Sequence, residues 1–156
     1  MSGTGHTVKS YEEEMQSLND NLVMMGSLTE NQMADAMAAV IKVDKESVDK
    51  IVKNDGKINE LRSTIDNQIT TVLVKRAPMA VDLRITISTM KISHDLERIG
   101  DLAKSVAKKV KPLPVDLPDE LIGSLRRLGD LVQKQLKDAL DAYLNRSKDK
   151  AIEIWK

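Results

Sequence analysis

Two pairs of oxygen-bearing side chains stand at helical spacing in this 156-residue sequence. Glu97 and Asp101 are four residues apart, as are Asp55 and Asn59, so each pair shares one face of a helix. Asp55 stands 23 residues before Pro78 and Asp101 stands 23 after it, while Asn59 and Glu97 are each 19 away. An antiparallel hairpin pivoting on Pro78 brings these four side chains to two matching levels, one helical turn apart. Clustered oxygens repel unless they are protonated or bridged by a hard cation such as Mg²⁺, Mn²⁺ or iron. A cation site is the chemistry this quartet suits. Glu97 and Asp101 also continue the stripe of Leu83, Ile87 and Met90, which raises the cost of leaving them unpaired. Gly56 and Gly100 are equidistant from Pro78 as well, where a small residue lets backbones approach or leaves room for a ligand. From spacing alone the four also read as solvated polar positions bordering a core stripe, and long helices are full of such pairs.

His94, one turn before Glu97, offers a nitrogen ligand, although a lone helical His more often packs at the surface. A di-iron carboxylate bundle needs Glu-x-x-His on paired helices. Here His94-x-x-Glu97 runs in the reverse order, with no second His at that level. Nucleophile motifs, a Gly-rich phosphate loop and HExxH are all missing, so an enzyme has little to work with. His6 reads as an ordinary terminal residue. Arg98 and Arg84 read as solvated, or paired with Asp95 and Asp82. The eight Met residues at helical spacing read as core fillers.

Composition narrows the partners. The 24 Lys and Arg balance 24 Asp and Glu, and their signs are interspersed, so there is no basic stripe for nucleic acid. One Trp and two Tyr make no stacking platform for single strands. The absence of Cys removes disulfides, thiolate metal sites and thiol nucleophiles, and fits a reducing, cytoplasmic compartment. Met1 to Lys9 is polar and lacks the pattern of a signal peptide. No stretch approaches the roughly 18 apolar residues of a transmembrane segment.

The elements that must position the quartet are helices, because apolar residues recur at helical spacing and never alternate at period two. The pattern predicts a first helix from about Val8 to Lys42, with Leu18, Leu22, Met25, Met33, Ala36 and Val40 inward and an interruption at Gly26. Asp44 is placed to cap a second helix running to about Arg76, which Pro78 ends. The third spans about Met79 to Val110 with two stripes: Leu83, Ile87, Met90, His94, Glu97, Asp101, and Ile92, Leu96, Ile99, Ala103, Val106, Val110. Residues 111–118 hold three of the four prolines and form a connector. A fourth helix follows from Asp119 to about Asn145, and Ser147 caps a fifth. The expected fold class is all-α, a long antiparallel three-helix bundle over residues 6–110, followed by the first helices of an incomplete second bundle over 119–156.

The chain also repeats. Shifted by 103 positions, Met33–Ile41 lies over Leu136–Leu144, the cap Asp44 over Ser147, and Ile51-Val52-Lys53 over Ile154-Trp155-Lys156. The last helix has no Gly or Asn stop signal, so a truncated second repeat is expected.

Pro78-x-Ala80-x-Asp82-Leu83-Arg84, Lys91-Ile92 and Asp95-Leu96-Glu97-Arg98-Ile99-Gly100-Asp101 resemble the PhoU family of phosphate-signalling proteins. So do Asp55-x-x-Ile58-Asn59 and the opening His6, Tyr11, Leu18, Leu22 and Met25-Gly26. The resemblance covers the whole chain. It implies two similar three-helix bundles, each with a Glu/Asp-x-x-x-Asp motif associated with metal binding. It further implies a cytoplasmic adaptor, peripheral to membrane complexes, that restrains phosphate uptake and phosphate-starvation signalling. The implied partners are a phosphate-sensing histidine kinase, the ATPase subunit of a phosphate ABC transporter, and a second copy in a homodimer. Glu97 and Asp101 become motif ligands, with Asp55 and Asn59 their partners, for iron, Zn, Mg or Mn. Asn59 stands where a second acid often occurs and supplies only a neutral oxygen. The second motif is missing from this chain. The alternative reading is a helical-bundle interaction module that holds no metal.

Overall fold

A computed structural model describes residues 3–114 and 117–156, with side chains from residue 9 onward. His6 as a side chain, and residues 115–116 of the connector, lie outside the described residues. Among the described residues five helices follow one another: α1 Gly3–Lys42, α2 Ser47–Arg76, α3 Ala80–Lys108, α4 Asp119–Leu144 and α5 Lys148–Trp155. No strand occurs among the described residues. Among the described residues no helix is long and apolar enough to cross a membrane.

α1, α2 and α3 pack mutually as an antiparallel bundle, and each contributes one seam at alternating spacings of three and four. On α1 the seam is Leu18, Leu22, Met25, Thr29, Gln32, Ala36 and Ala39, all buried. On α2 it is Val48, Ile51, Asp55, Ile58, Ile65, Ile69 and Val72, with half-buried Arg62 filling the one gap in the register. This is the knobs-into-holes pattern of long bundles. On α3 the seam is Thr86, Thr89, Ser93, Leu96, Gly100, Ala103 and Ala107.

That last seam corrects the sequence expectation. The stripe through Leu83, Ile87 and Met90 flanks the buried line, one position away from it, and Ile87 is exposed. The large side chains sit beside the contact because the contact itself is made by small ones. Two of their hydroxyls are satisfied locally, Thr86 donating to the Asp82 carbonyl and Ser93 to that of Met90, while the Thr89 hydroxyl pairs with Tyr143 Oη on α4 at 3.1 Å. The methionines divide too. Met25 and Met33 are buried, whereas Met24 and Met79 lie on the surface.

The core is two apolar clusters. One gathers Leu18, Leu22, Met25, Ile58, Ile65, Ile69 and Leu96. The other gathers Met33, Ala36, Ala39, Val48, Ile51, Ala103, Ala107 and Val110. Between them in sequence register lies a polar layer contributed by Gln32, Asp55 and the Gly100 carbonyl.

α4 runs antiparallel along the outside of α1, and α5 packs on α4. The α1–α4 approach is close at two glycines, since a Cβ at Gly129 would fall 2.8 Å from Met37 Cε and one at Gly26 3.1 Å from Leu140 Cδ1. Gly26 is thus a close packing contact inside an uninterrupted helix. The end of α1 and the end of α4 share one geometry. Val43 and Arg146 are both left-handed at φ 50°. Asp44 N–H bonds the Ala39 carbonyl, and Ser147 N–H bonds that of Ala142, at 2.9 Å each. These are Schellman turns, and they recur at the 103-residue offset seen in the sequence.

A candidate acid centre between α2 and α3

The pivot at Pro78 pairs the two helices as the spacing requires. Asp55 and Asp101 meet at one level through Lys104, whose Nζ lies 2.6 Å from Asp55 Oδ2 and 2.5 Å from Asp101 Oδ1. Arg62 and His94, each 16 residues from Pro78, also meet, at 3.2 Å.

Asp55 is the buried member. Its side chain is 5% exposed, and it accepts from three helices' worth of donors. Gln32 Nε2 on α1 donates to Oδ1 at 2.8 Å, Asn59 Nδ2 to Oδ2 at 3.3 Å, and Lys104 Nζ to the same Oδ2. A buried carboxylate needs such partners because water cannot reach it. Gln32 Nε2 also donates to the Gly100 carbonyl at 3.0 Å. The space at Gly100 is tight: a Cβ there would lie 3.0 Å from Ile58 Cδ1 and 3.7 Å from Asp55 Oδ1. Gly56, in contrast, faces open space, so only one of the two equidistant glycines serves the approach.

Asp101 is 47% exposed and forms the outer half of the pair. The hydrogen bond to Asp101, followed by that to Asp55, raises the Lys104 pKa above its ordinary value against the opposing effect of burial. The ammonium is therefore charged at neutral pH. Glu97 is half-buried and Asn59 exposed, one turn away. Their side chains make no hydrogen bond to each other among the described residues. No group of three His, Cys, Asp or Glu residues converges closely enough to enclose an ion among the described residues.

His94 stands apart from this level. It is exposed and shares Asp66, at 3.3 Å, with Arg62. Neither Arg98 with Asp95 nor Arg84 with Asp82 forms an ion pair among the described residues; Arg76 instead clasps Glu14 at 2.8 Å. Two members of the centre escaped the sequence reading. Gln32 was detectable as a polar residue in the apolar seam of α1, and Lys104 as the cation one turn after Asp101 on the same flank.

Asp55 and Asp101 supply carboxylate oxygens, the chemistry of a hard cation, whereas Gln32 and Asn59 face Asp55 with amide N–H groups and Lys104 with its ammonium. Asp55 and Asp101 already converge on a positive charge, and Gln32 Oε1 is buried without a hydrogen-bond partner. The lining does not by itself enclose such an ion, because the Lys104 ammonium stands between the two acids and no third acid or His joins them among the described residues.

Comparison with known proteins places this architecture. A family model described as the PhoU domain matches residues 22–110. The chain is 40% identical over 153 residues to a phosphate-specific transport system accessory protein PhoU homolog of Caulobacter vibrioides, covering 97% of this chain and 66% of that protein. It is 36% identical over 151 residues to the homolog of Clostridium acetobutylicum, covering 96% and 69% respectively. The crystal structure of PhoU from Pseudomonas aeruginosa superposes with a TM-score of 0.82 at 34% identity, over 92% of this chain and 69% of that one. The phosphate transport system regulatory protein PhoU from Streptococcus pneumoniae gives 0.83 at 32% identity, over 92% and 68%. The chain spans about two thirds of the length of the curated relatives it matches.

Proposed function

The chain belongs to the PhoU family, and from that premise we propose that it serves a phosphate transport system as a negative regulator acting by protein contact. Uptake and phosphate-starvation signalling are both restrained. The partners are a phosphate-sensing histidine kinase and the ATPase subunit of a phosphate ABC transporter, with the protein a cytoplasmic homodimer peripheral to membrane complexes. The observation that carries this reading is identity at 40% across nearly the whole chain with an accessory protein of such a system. The acid centre supports a role without turnover. Its converged groups are engaged with one another, Asp55 with Gln32, Asn59 and Lys104, and they hold three helices in register.

The acid centre takes a hard cation in this reading, held by Asp55 and Asp101, with Glu97 and Asn59 one turn away. Such an ion supplies a cross-link between α2 and α3. A metal-free interaction module is the second reading, and Lys104 favours it by already neutralising the two acids.

Deleting the gene is expected to derepress phosphate-starvation genes in phosphate-rich medium, with restoration by the wild-type copy. Unchanged expression overturns the regulatory role. Elemental analysis of the purified protein, repeated on Glu97→Ala with Asp101→Ala, separates the two readings.

A further inference from the structure

The turn between α2 and α3 is apolar and stands in water. Val74 is 79% exposed, Met79 81% and Val81 63%, with Leu73, Ala77 and Ala80 exposed beside them. We propose that this hairpin tip is a docking knob, received by an apolar socket bordered by carboxylates on the ATPase subunit of the phosphate transporter. The inference rests on the regulatory reading above and adds the surface through which the contact is made.

The α2–α3 seam stops short of the tip. Val72 and Thr86 are its last buried residues, and none of residues 73–85 is buried. Apolar side chains exposed singly are ordinary, but neighbouring ones gathered on one protrusion mark an interaction site.

The backbone points the same way. Ala77 at φ 43° and Ala80 at φ 50° are both left-handed, a region that glycine enters freely and other residues enter at a cost. Ala77 is also the C-cap of α2, a place where glycine is usual. Pro78 between them fixes its own φ. A glycine turn would be relaxed and loose, whereas this one is strained and stiff. The knob therefore holds its shape before it meets a partner and loses little freedom on docking.

Charge narrows the occupant. Glu14 is taken by Arg76 at 2.8 Å, and Asp82 is half-buried. Lys75 and Arg84 are exposed and form no ion pair among the described residues. The rim thus turns two cations outward around an apolar centre, which suits a socket with a carboxylate border. A second copy docked tip to tip would set these like charges together. A stable dimer also needs about 800 Å² per partner, more than one turn supplies. A lipid surface suits the tip less, because it has no Trp or Tyr to anchor at the interface, and α1 carries exposed Glu12 and Glu13. The regulatory reading stands on likeness to a transport-system accessory protein, so the occupant is the transporter's ATPase subunit and not the kinase.

Two double variants test this, Val74→Asp with Met79→Asp, and Lys75→Glu with Arg84→Glu. Each is purified as the full chain, titrated against the purified ATPase subunit, and also placed in the chromosomal gene. Both are expected to keep the wild-type thermal midpoint, since all four side chains are exposed. Affinity for the ATPase subunit is expected to fall by about tenfold or more in each, and phosphate-starvation genes to be derepressed in phosphate-rich medium. Should the aspartate variant lower the thermal midpoint, Met79→Gln, closely matched in size, carries the measurement and is expected to weaken binding several-fold. Wild-type affinity and repression in folded variants, with derepression in the gene deletion, overturn the knob and leave the regulatory reading standing. Unchanged expression in the deletion overturns that reading, and the titration then judges the knob alone. No binding of the ATPase subunit by the wild type overturns the proposed occupant. So does unchanged ATPase binding in variants that have lost flotation on phosphatidylglycerol vesicles or self-association in sedimentation.

Discussion

Asp55 and Asp101 share one ammonium, yet they differ in what each stands to lose. Removing one partner of a buried ion pair leaves an uncompensated charge and costs about 3–5 kcal/mol. An exposed pair contributes about 0–1 kcal/mol. With its side chain 5% exposed, Asp55 follows the first rule, and Asp101 at 47% follows the second. Urea denaturation of Asp55→Ala is expected to show a loss near 3 kcal/mol, and of Asp101→Ala a loss within about 1 kcal/mol. Equal losses would show that the two acids share the burial. The glycines diverge in the same way. Gly100→Ala gains helix propensity but pushes a Cβ to 3.0 Å from Ile58 Cδ1, beside Gln32's bond to the Gly100 carbonyl. A net loss of about 1 kcal/mol is expected from such overpacking. Gly56→Ala meets open space and is expected to gain about 0.5–1 kcal/mol. Half of the centre was legible from spacing alone. Distance from Pro78 pairs Asp55 with Asp101 because antiparallel helices of equal rise keep equal counts level. Counting from Pro78 does not reach Lys104 and Gln32, because the ammonium comes to its level from one turn away and the amide comes from a third helix.

At the scale of elements, the helix ends and the helix faces were legible to different degrees. Asp44 does what its type and position predict. Its carboxylate accepts the N–H groups of Glu46 and Ser47, both at 3.1 Å, and the Ser47 hydroxyl. Ser147 likewise accepts from Lys150 N–H at 3.3 Å at the start of α5. One of the two stripes read on α3 lies a residue off the seam, because ranking by hydrophobicity favours Ile87 and Met90 over Thr86 and Thr89, while Leu96 and Ala103 of the other stripe are on it. A close interhelical seam selects for small volume as well as for apolarity. The cap carries a pH signature. The Ser47 hydroxyl, then its N–H, holds the Asp44 carboxyl below its ordinary value of 3.8. A lowered folded-state pKa stabilises the protein fully above the ordinary value, and the effect is lost as pH falls through the lowered one. Asp44→Ala is therefore expected to have a lower thermal midpoint than the wild type at neutral pH. The gap should close as both are titrated below pH 3.8, and Asp44→Ser should recover part of it at every pH. A gap independent of pH would assign the effect to backbone conformation at the turn.

Over the whole molecule, α1 meets two surroundings at once. One face supplies the bundle seam from Leu18 to Ala39, while the adjoining face receives α4 at Gly26 and Met37. The α4 contact is the more open of the two. It borders an apolar groove of about 450 Å³ lined by Met33, Ile99, Leu102, Val106, Leu128 and Val132, and Leu131 and Trp155 remain exposed beyond it. α5 buries no residue at all. Local stability follows buried apolar contact, so α4 and α5 belong to the end of the molecule that opens first. Gly26→Leu combined with Gly129→Leu separates the two units without entering the bundle seam. Each leucine fills the space through which the facing helix approaches, and in its own helix leucine is favoured over glycine by up to about 1 kcal/mol. Hydrogen exchange of this double variant is expected to show amide protection falling throughout α4 and α5 while the interior amides of α2 and α3 stay as slow as in the wild type. A matching fall in α2 and α3 would mean that the five helices unfold as one unit, and that the contact of α4 with α1 carries part of the stability of the acid centre.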